Sequence, residues 1–176
     1  STGDVGIYGM AGLVLEILPR ESEIEVQIVP GITAASAAAA CLGAPLMNDF
    51  AVISLSDLLT PLPVIEKRLA YAIAGDFVIA LYNPRSRRRV EPLRRALALL
   101  RAARPGDTPV GVVRDALREG QVATVTTLDL LDEEKLDMKT VVIVGNSATQ
   151  VRDGRMVTAR GYPVRGAEAG CRAEEG

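Results

Sequence analysis

The stretch 76-DFVIALYNPRSRRRVEPLRRALALLRAA-103 decides the fold class. It begins with a continuous apolar run that stops at Asn83-Pro84, which is typical of a strand buried on both faces. From Arg88 to Ala103 the leucines and alanines recur at helical spacing among arginines, and this pattern predicts an amphipathic helix. A buried strand that is joined to an amphipathic helix by a short turn predicts an α/β fold.

Neighbouring segments repeat the alternation of strand and helix in both directions along the chain. A β-hairpin is predicted over residues 149–160, because Asp153-Gly154 is a typical two-residue turn. The hairpin makes the later sheet mixed rather than purely parallel. The predicted strands cover residues 24–29, 50–55, 109–114, 121–128 and 140–145, the predicted helices cover 7–18, 31–44, 63–74 and 128–137, and the hairpin covers 149–160.

Composition restricts the classes of protein. The chain has 176 residues, of which 48% are hydrophobic, 24% are charged and only 3% are aromatic, so we expect a folded domain with an aliphatic core. The net charge of −2 gives no overall support for binding to nucleic acid or to a membrane surface. No apolar run reaches the roughly 20 residues of a membrane span, and no signal peptide is recognisable, so we expect a cytoplasmic protein.

The absence of histidine removes several kinds of active site. Neither a His-ligated metal site nor a Ser-His-Asp triad can be built from this chain, which contains no histidine. The two cysteines, Cys41 and Cys171, do not have the spacing of metal ligands. We therefore expect no protein-bound metal.

Small or polar residues follow several predicted strands. An open α/β sheet binds its ligands outside the carboxyl ends of its strands, and no Walker or dinucleotide-binding spacing occurs among these turns. A ligand here would be held by backbone groups and by shape, although each turn taken alone also fits ordinary chain reversal, with Thr33 as a helix cap. The turns are Pro30-Gly31-Ile32-Thr33, Tyr82-Asn83-Pro84, Asp115-Ala116 and Gly145-Asn146-Ser147.

These motifs together resemble the tetrapyrrole (corrin/porphyrin) methylases. The glycine loop 3-GDVGIYGMAG-12 and 30-PGIT-33 are shared by the whole family. The stretches 44-APLMNDFAVISLSDLLTP-61 and 81-LYNPRSRRR-89 are similar to the precorrin-3B C17-methyltransferases of cobalamin (vitamin B12) biosynthesis. The resemblance extends over residues 1–162 and implies two α/β domains with the ligand cleft between them.

The resemblance implies that S-adenosylmethionine is the methyl donor and that a polycarboxylate tetrapyrrole is methylated at C17 with contraction of its ring. A related corrin-pathway methyltransferase that acts at another ring carbon is the alternative, and either a cobalt-containing or a metal-free substrate is compatible with the sequence. The implied donor-binding residues are Thr2, Gly3, Asp4, Ile7, Thr33, Ala34, Asn83, Ala116, Gly145 and Asn146.

Methyl transfer from a sulfonium is a direct displacement, so holding the two reactants in line supplies most of the catalysis. If the ring contraction needs acid–base help, the candidates for it are Asp4, Tyr8 and Asp49.

Four arginines, Arg85, Arg87, Arg88 and Arg89, are expected to bind the carboxylates of the substrate, since guanidinium groups bind carboxylates with two parallel hydrogen bonds. They also fit a solvated basic helix start. Two further alternatives are a nucleic-acid-binding module that uses these arginines and a domain without activity. The acidic run 132–134 and the few aromatic residues argue against nucleic acid.

The resemblance also suggests a division of the chain. Residues 1–48 would be the later part of a first α/β domain, 49–165 a complete second domain, and 166–176 a disordered tail. Because the glycine loop normally follows a strand, we expect an upstream region, and the chain alone to be inactive. Val5 stands where the family usually has proline, which should soften the loop. The family tends to dimerise, so a homodimer is expected.

Overall fold

The computed structural model describes residues 3–162, and within them the chain alternates between helices and strands. The helices are α1 (Ala11–Ile17), α2 (Ala34–Leu42), α3 (Leu62–Ala74) and α4 (Glu91–Ala103). The strands are β1 (Gly43–Ala44), β2 (Phe50–Ser54), β3 (Val78–Tyr82), β4 (Pro109–Arg114), β5 (Val122–Thr127), β6 (Thr140–Val144), β7 (Thr149–Arg152) and β8 (Arg155–Thr158). The α/β class predicted from the sequence is confirmed.

The main sheet has five strands in the order β2-β3-β6-β4-β5. Strands β2 and β3 are parallel, whereas β6 runs antiparallel to both of its neighbours, β3 and β4. The sheet is therefore mixed, as predicted. Because β6 is reversed, the carboxyl ends of β2, β3 and β4 meet the amino end of β6 at one edge of the sheet.

Helices cover both faces of this sheet. The alternating side chains of β3 divide between two cores, since Ile79 and Leu81 face α3 and α4, whereas Val78 and Ala80 face α2. The burial of every residue of β3 explains why the strand is uniformly apolar. Helix α4 contributes the leucines of one stripe, Leu93, Leu97 and Leu100, which are completely buried or nearly so.

A smaller sheet lies beside α2, with the strand order β1-β8-β7. Strands β7 and β8 form the predicted hairpin, and its turn residues Asp153 and Gly154 have φ angles of 49° and 73°. Two consecutive positive φ values define the type I′ turn, which favours this Asp-Gly pair. The hairpin prediction is confirmed.

Two secondary-structure predictions are wrong in the described part of the chain. Residues 24–29 form no strand, because no other described strand pairs with them, and Ile24 and Val29 are exposed. An extended segment becomes a β-strand only when its backbone N–H and C=O groups form hydrogen bonds with a neighbouring strand. The helix predicted over 128–137 is reduced to one 3₁₀ turn, Glu133–Lys135, which Asp132 caps with its side chain.

The helix α2 belongs to the same core as the large sheet. Ala35, Ala38 and Leu42 pack with side chains of β3, β4 and β6. The small side chains of Ala35 and Ala38 let the helix approach the strands closely. The predicted division between residues 48 and 49 stays a prediction, and the expected tail 166–176 lies outside the described residues.

No helix within residues 3–162 has the length and apolar character needed to cross a membrane.

Tyr82, the last residue of β3, fixes the start of α2. Its hydroxyl oxygen accepts a hydrogen bond from the backbone N–H of Ala35 at 2.5 Å and shares a second hydrogen bond with the Thr33 hydroxyl at 2.6 Å. Thr33 occupies the N-cap position, but its side chain makes no cap bond to the helix backbone. The expected threonine cap is thus replaced by a tyrosine from the sheet.

We expect Tyr82→Phe to destabilise the protein by about 1–3 kcal/mol, because a buried N–H of α2 then loses its acceptor. Denaturant unfolding would measure the loss. Tyr71→Phe is the matched control, since Tyr71 is exposed on α3. Equal stabilities of the two variants would contradict the capping role of Tyr82.

Candidate functional site

A cavity of about 530 Å³ opens at the edge of the sheet where the carboxyl ends of β3 and β4 meet the amino end of β6. Its walls come from the glycine loop, the start of α2, and the segments that follow β3 and β4. Ligands of α/β proteins bind at this edge of the sheet. The cavity is therefore the candidate site.

Seven of the ten predicted donor-binding residues line this cavity. They come from four separate stretches of the chain, and the fold alone brings them together. Most offer small side chains or backbone groups, which suits a ligand held by shape. The seven are Gly3, Asp4, Ile7, Thr33, Ala34, Asn83 and Ala116.

Asp4 ties the glycine loop to the turn before α2. Its carboxylate accepts hydrogen bonds from the backbone N–H groups of Gly31, at 3.0 Å, and Gly6, at 2.8 Å. These bonds, that of Gly31 first, hold the pKa of Asp4 below its usual range. Gly31 approaches so closely that a Cβ there would lie 2.3 Å from the carbonyl oxygen of Gly3. Asp4 therefore acts as a structural link, and its lowered pKa does not suit a proton donor.

Tyr8 anchors the same loop to the edge strand β2. Its hydroxyl donates to the carbonyl oxygen of Val52 at 3.1 Å and accepts from the backbone N–H of Ser54 at 3.2 Å. Both groups lie on the outer side of β2, where no described strand pairs with them. The Tyr8 ring also packs against Tyr82, with 5.6 Å between the ring centres. Tyr8 thus lines the cavity with its hydroxyl already engaged.

Asn83 is held in the left-handed region, with φ at 53°, immediately after β3. Its side-chain amide donates to the Ser54 hydroxyl oxygen at 2.9 Å. The guanidinium of Arg89 contacts the Asn83 carbonyl oxygen at 3.4 Å and the Ser56 hydroxyl oxygen at 3.0 Å. These contacts connect the segments that follow β2 and β3, and they fix one wall of the cavity.

The four arginines predicted to bind substrate have different surroundings, and none of them lines the cavity. Arg85 forms an ion pair with Glu134 at 2.6 Å. Arg89 is largely buried, and its Nε lies 3.7 Å from a carboxylate oxygen of Asp57. Arg87 and Arg88 are exposed on the loop after β3. Two of the four thus have structural partners, and two remain accessible at the same edge of the sheet.

Asp115 was predicted only as part of a turn, and two further charged residues of the cavity wall, Arg118 and Lys139, were not predicted. Asp115 has a φ of 48° and forms ion pairs with Arg114, at 3.0 Å, and with Lys139, at 3.7 Å. The signal was present in the polar stretch 114-RDALREG-120, but only Ala116 was selected there. Lys139 precedes β6, a strand whose reversed direction the sequence does not reveal.

Three other predicted residues lie at the opposite edge of the sheet. Gly145 and Asn146 follow β6, which runs antiparallel, so the expectation that all these strand ends converge is wrong. Asp49 precedes β2 and is likewise far from Asp4 and Tyr8 along the strands. Thr2 lies outside the described residues.

Asn146 makes several hydrogen bonds within the protein at this opposite edge of the sheet. It is buried, and its side-chain amide donates to the carbonyl oxygen of Asp76 at 2.9 Å. Its side-chain oxygen accepts from the backbone N–H of Ala148 and from the Thr149 hydroxyl, each at 3.1 Å. These bonds shape the turn between β6 and β7. Within residues 3–162, no group of three or more potential ligands is placed to hold a metal ion.

We expect Asn146→Ala to lower the free energy of unfolding by about 1–3 kcal/mol, because the partners of a buried amide lose their hydrogen bonds. The affinity of the folded protein for the expected donor, S-adenosylmethionine, should stay unchanged. Thermal unfolding and calorimetric titration measure the two effects. Asn83→Ala is the comparison variant, for which the affinity should fall. A fall for Asn146→Ala instead would restore its predicted role in donor binding.

Comparisons with known proteins show which sequences and structures this chain is similar to. A probable cobalt-factor III C(17)-methyltransferase of Salmonella typhimurium is 57% identical over 163 residues, which cover 92% of this chain and 68% of the relative. A precorrin-3B C(17)-methyltransferase of a Sinorhizobium species is 44% identical over 161 residues, which cover 88% of this chain and 63% of the relative.

Among solved structures, the methyltransferase CobJ superposes with a TM-score of 0.84 and 41% sequence identity, over 90% of this chain and 68% of CobJ. The family model for tetrapyrrole (corrin/porphyrin) methylases matches residues 1–132. The chain belongs to the tetrapyrrole methylase family.

Proposed function

We propose that the full-length protein transfers a methyl group from S-adenosylmethionine to C17 of a corrin-pathway tetrapyrrole, with contraction of the ring, in cobalamin biosynthesis. The observation that carries the proposal is that one cavity gathers seven of the ten residues that the sequence predicts to bind the donor. The family membership and the names of the two C17-methyltransferase relatives support it. The chain spans about two thirds of the length of each, so the proposal concerns the whole protein.

The cavity fits the donor in size and in chemistry. Its volume of about 530 Å³ falls within the range of roughly 300–1,000 Å³ that is usual for small-molecule sites. Gly3, Ala34 and Ala116 leave room for an adenosine group, while Thr33 and Asn83 offer polar groups to it. S-adenosylmethionine supplies a methyl group on a positively charged sulfur, which needs no activation by the protein.

The residues of this chain would act mainly by positioning. Asp4 links the glycine loop to the turn before α2, Tyr8 holds the same loop to β2, and Tyr82 caps α2. These contacts fix three walls of the cavity relative to one another. Such rigidity holds two reactants in line, and orientation of this kind contributes several kcal/mol to catalysis. Exposed Arg87 and Arg88 are proposed to bind the substrate carboxylates as the macrocycle approaches.

We further propose that the substrate carries cobalt. The Salmonella relative, named for cobalt-factor III, is 57% identical, whereas the relative named for precorrin-3B is 44% identical. The cobalt would arrive as part of the substrate. A cytoplasmic location and a homodimer, towards which the family tends, complete the proposal.

We expect Ala34→Leu to weaken the binding of S-adenosylmethionine by at least about tenfold, which corresponds to about 1.4 kcal/mol. The larger side chain would occupy the cavity at the first residue of α2. Ala40→Leu is the matched control, since Ala40 is exposed on the same helix and does not line the cavity. Calorimetric titration and melting temperatures separate binding from folding.

Product analysis tests the reaction itself. The full-length protein is incubated with the labelled donor and with either cobalt-factor III or precorrin-3B, and the methylated position is determined by NMR. Methylation at C17 with faster turnover of cobalt-factor III is the expected result. Methylation at another ring carbon would establish the related methyltransferase instead, and no methyl transfer to either compound would refute the proposal.

A further inference from the structure

The loop between β4 and β5, residues 115–121, forms one wall of the cavity and has a fixed shape. The backbone N–H of Asp115 donates to the carbonyl oxygen of Lys139, and that of Arg118 donates to the carbonyl oxygen of Asp115 at 3.0 Å. The side-chain oxygen of Gln121 accepts from the backbone N–H of Leu117 at 2.8 Å and from the thiol of Cys41 at 3.2 Å. The loop is thus closed on itself and tied to α2.

Among the described residues, the positive and negative side chains of this wall are not all paired with one another. The Asp115 carboxylate, of which only 12% is exposed, is shared by Arg114 and Lys139. Asp4, the other acid of the cavity wall, is occupied by two backbone N–H groups. Among the described residues, no carboxylate forms an ion pair with Arg118, which is exposed and lines the cavity. Arg118 is therefore the cation of this wall whose charge is available to a ligand.

We propose that Arg118 binds a carboxylate of the ligand in this cavity, a role that rests on the proposed function. A guanidinium on a fixed loop presents paired N–H donors whose geometry matches a carboxylate. Both reactants carry such a group: the amino-acid end of S-adenosylmethionine and the side arms of the tetrapyrrole. Arg118 lies in a different loop from the four arginines that the sequence predicts to bind carboxylates, which all follow β3.

The test compares Arg118→Gln with Arg68→Gln in the full-length protein. Arg68 is an exposed residue of α3 outside the cavity wall, so its loss changes the net charge equally. Three quantities are measured: the Kd of S-adenosylmethionine, the Kd of its decarboxylated analogue, and the KM of cobalt-factor III. The melting temperatures of both variants should match that of the parent protein.

If the donor carboxylate is the partner, Arg118→Gln raises the Kd of S-adenosylmethionine about tenfold and leaves that of the decarboxylated analogue unchanged. If a substrate carboxylate is the partner, both Kd values stay constant and the KM of the tetrapyrrole rises about tenfold. Arg118→Lys should recover part of either loss, since the charge is kept without the planar fork. Either pattern supports the inference.

A parent protein that transfers methyl groups, combined with constants for Arg118→Gln equal to those for Arg68→Gln, would overturn the inference and leave the proposed function intact. A parent protein without methyl transfer would overturn the proposed function and this inference together.

Discussion

The hydroxyl of Tyr82 is the contact on which the candidate site depends. It joins the carboxyl end of the central strand β3 to the start of α2, through Ala35 and Thr33. Thr33 and Ala34, which are predicted to bind the donor, stand beside this contact, while Asn83 follows Tyr82 directly in the chain. One buried side chain thus sets the distance between two walls of the cavity, and the ring of Tyr8 adds the third wall by packing against it.

The reversed direction of β6 is the second constraint, because it decides which loops meet. A parallel β6 would have brought Gly145 and Asn146 to the cavity. The antiparallel strand brings Thr140 and Lys139 there instead. Asn146 then serves the opposite edge, where it holds the turn into the hairpin and bonds to the chain before β3. The composition of the cavity wall therefore follows from strand direction as much as from local motifs.

The sequence predicted the local elements well where burial dictates the residue types. Strand β3 is buried on both faces, so its sequence is an uninterrupted apolar run. Helix α4 is buried on one face, so its leucines recur at helical spacing. The predictions failed where structure depends on a partner, as in residues 24–29, which have strand composition but no described strand beside them. The pairing direction of β6 is equally invisible in its own residues, since a strand buried on both faces looks the same in either direction.

Pairing with acids inside the fold distinguishes the arginines that stabilise the protein from the arginines that are left for a ligand. Arg85 and Arg89 belong to a conspicuous basic run, yet they hold Glu134 and Asp57 and connect the loops around β3. Arg118 belongs to no such run, yet the fold places it on the cavity wall with no carboxylate partner among the described residues. A run of arginines shows only that positive charges lie close together along the chain. Whether an arginine is available to a ligand depends on which acidic side chains the fold has already paired. Among the described residues, the two acids that line the cavity, Asp4 and Asp115, are taken by backbone N–H groups and by Arg114 and Lys139, and Arg118 is the cation of this lining that a carboxylate ligand would meet.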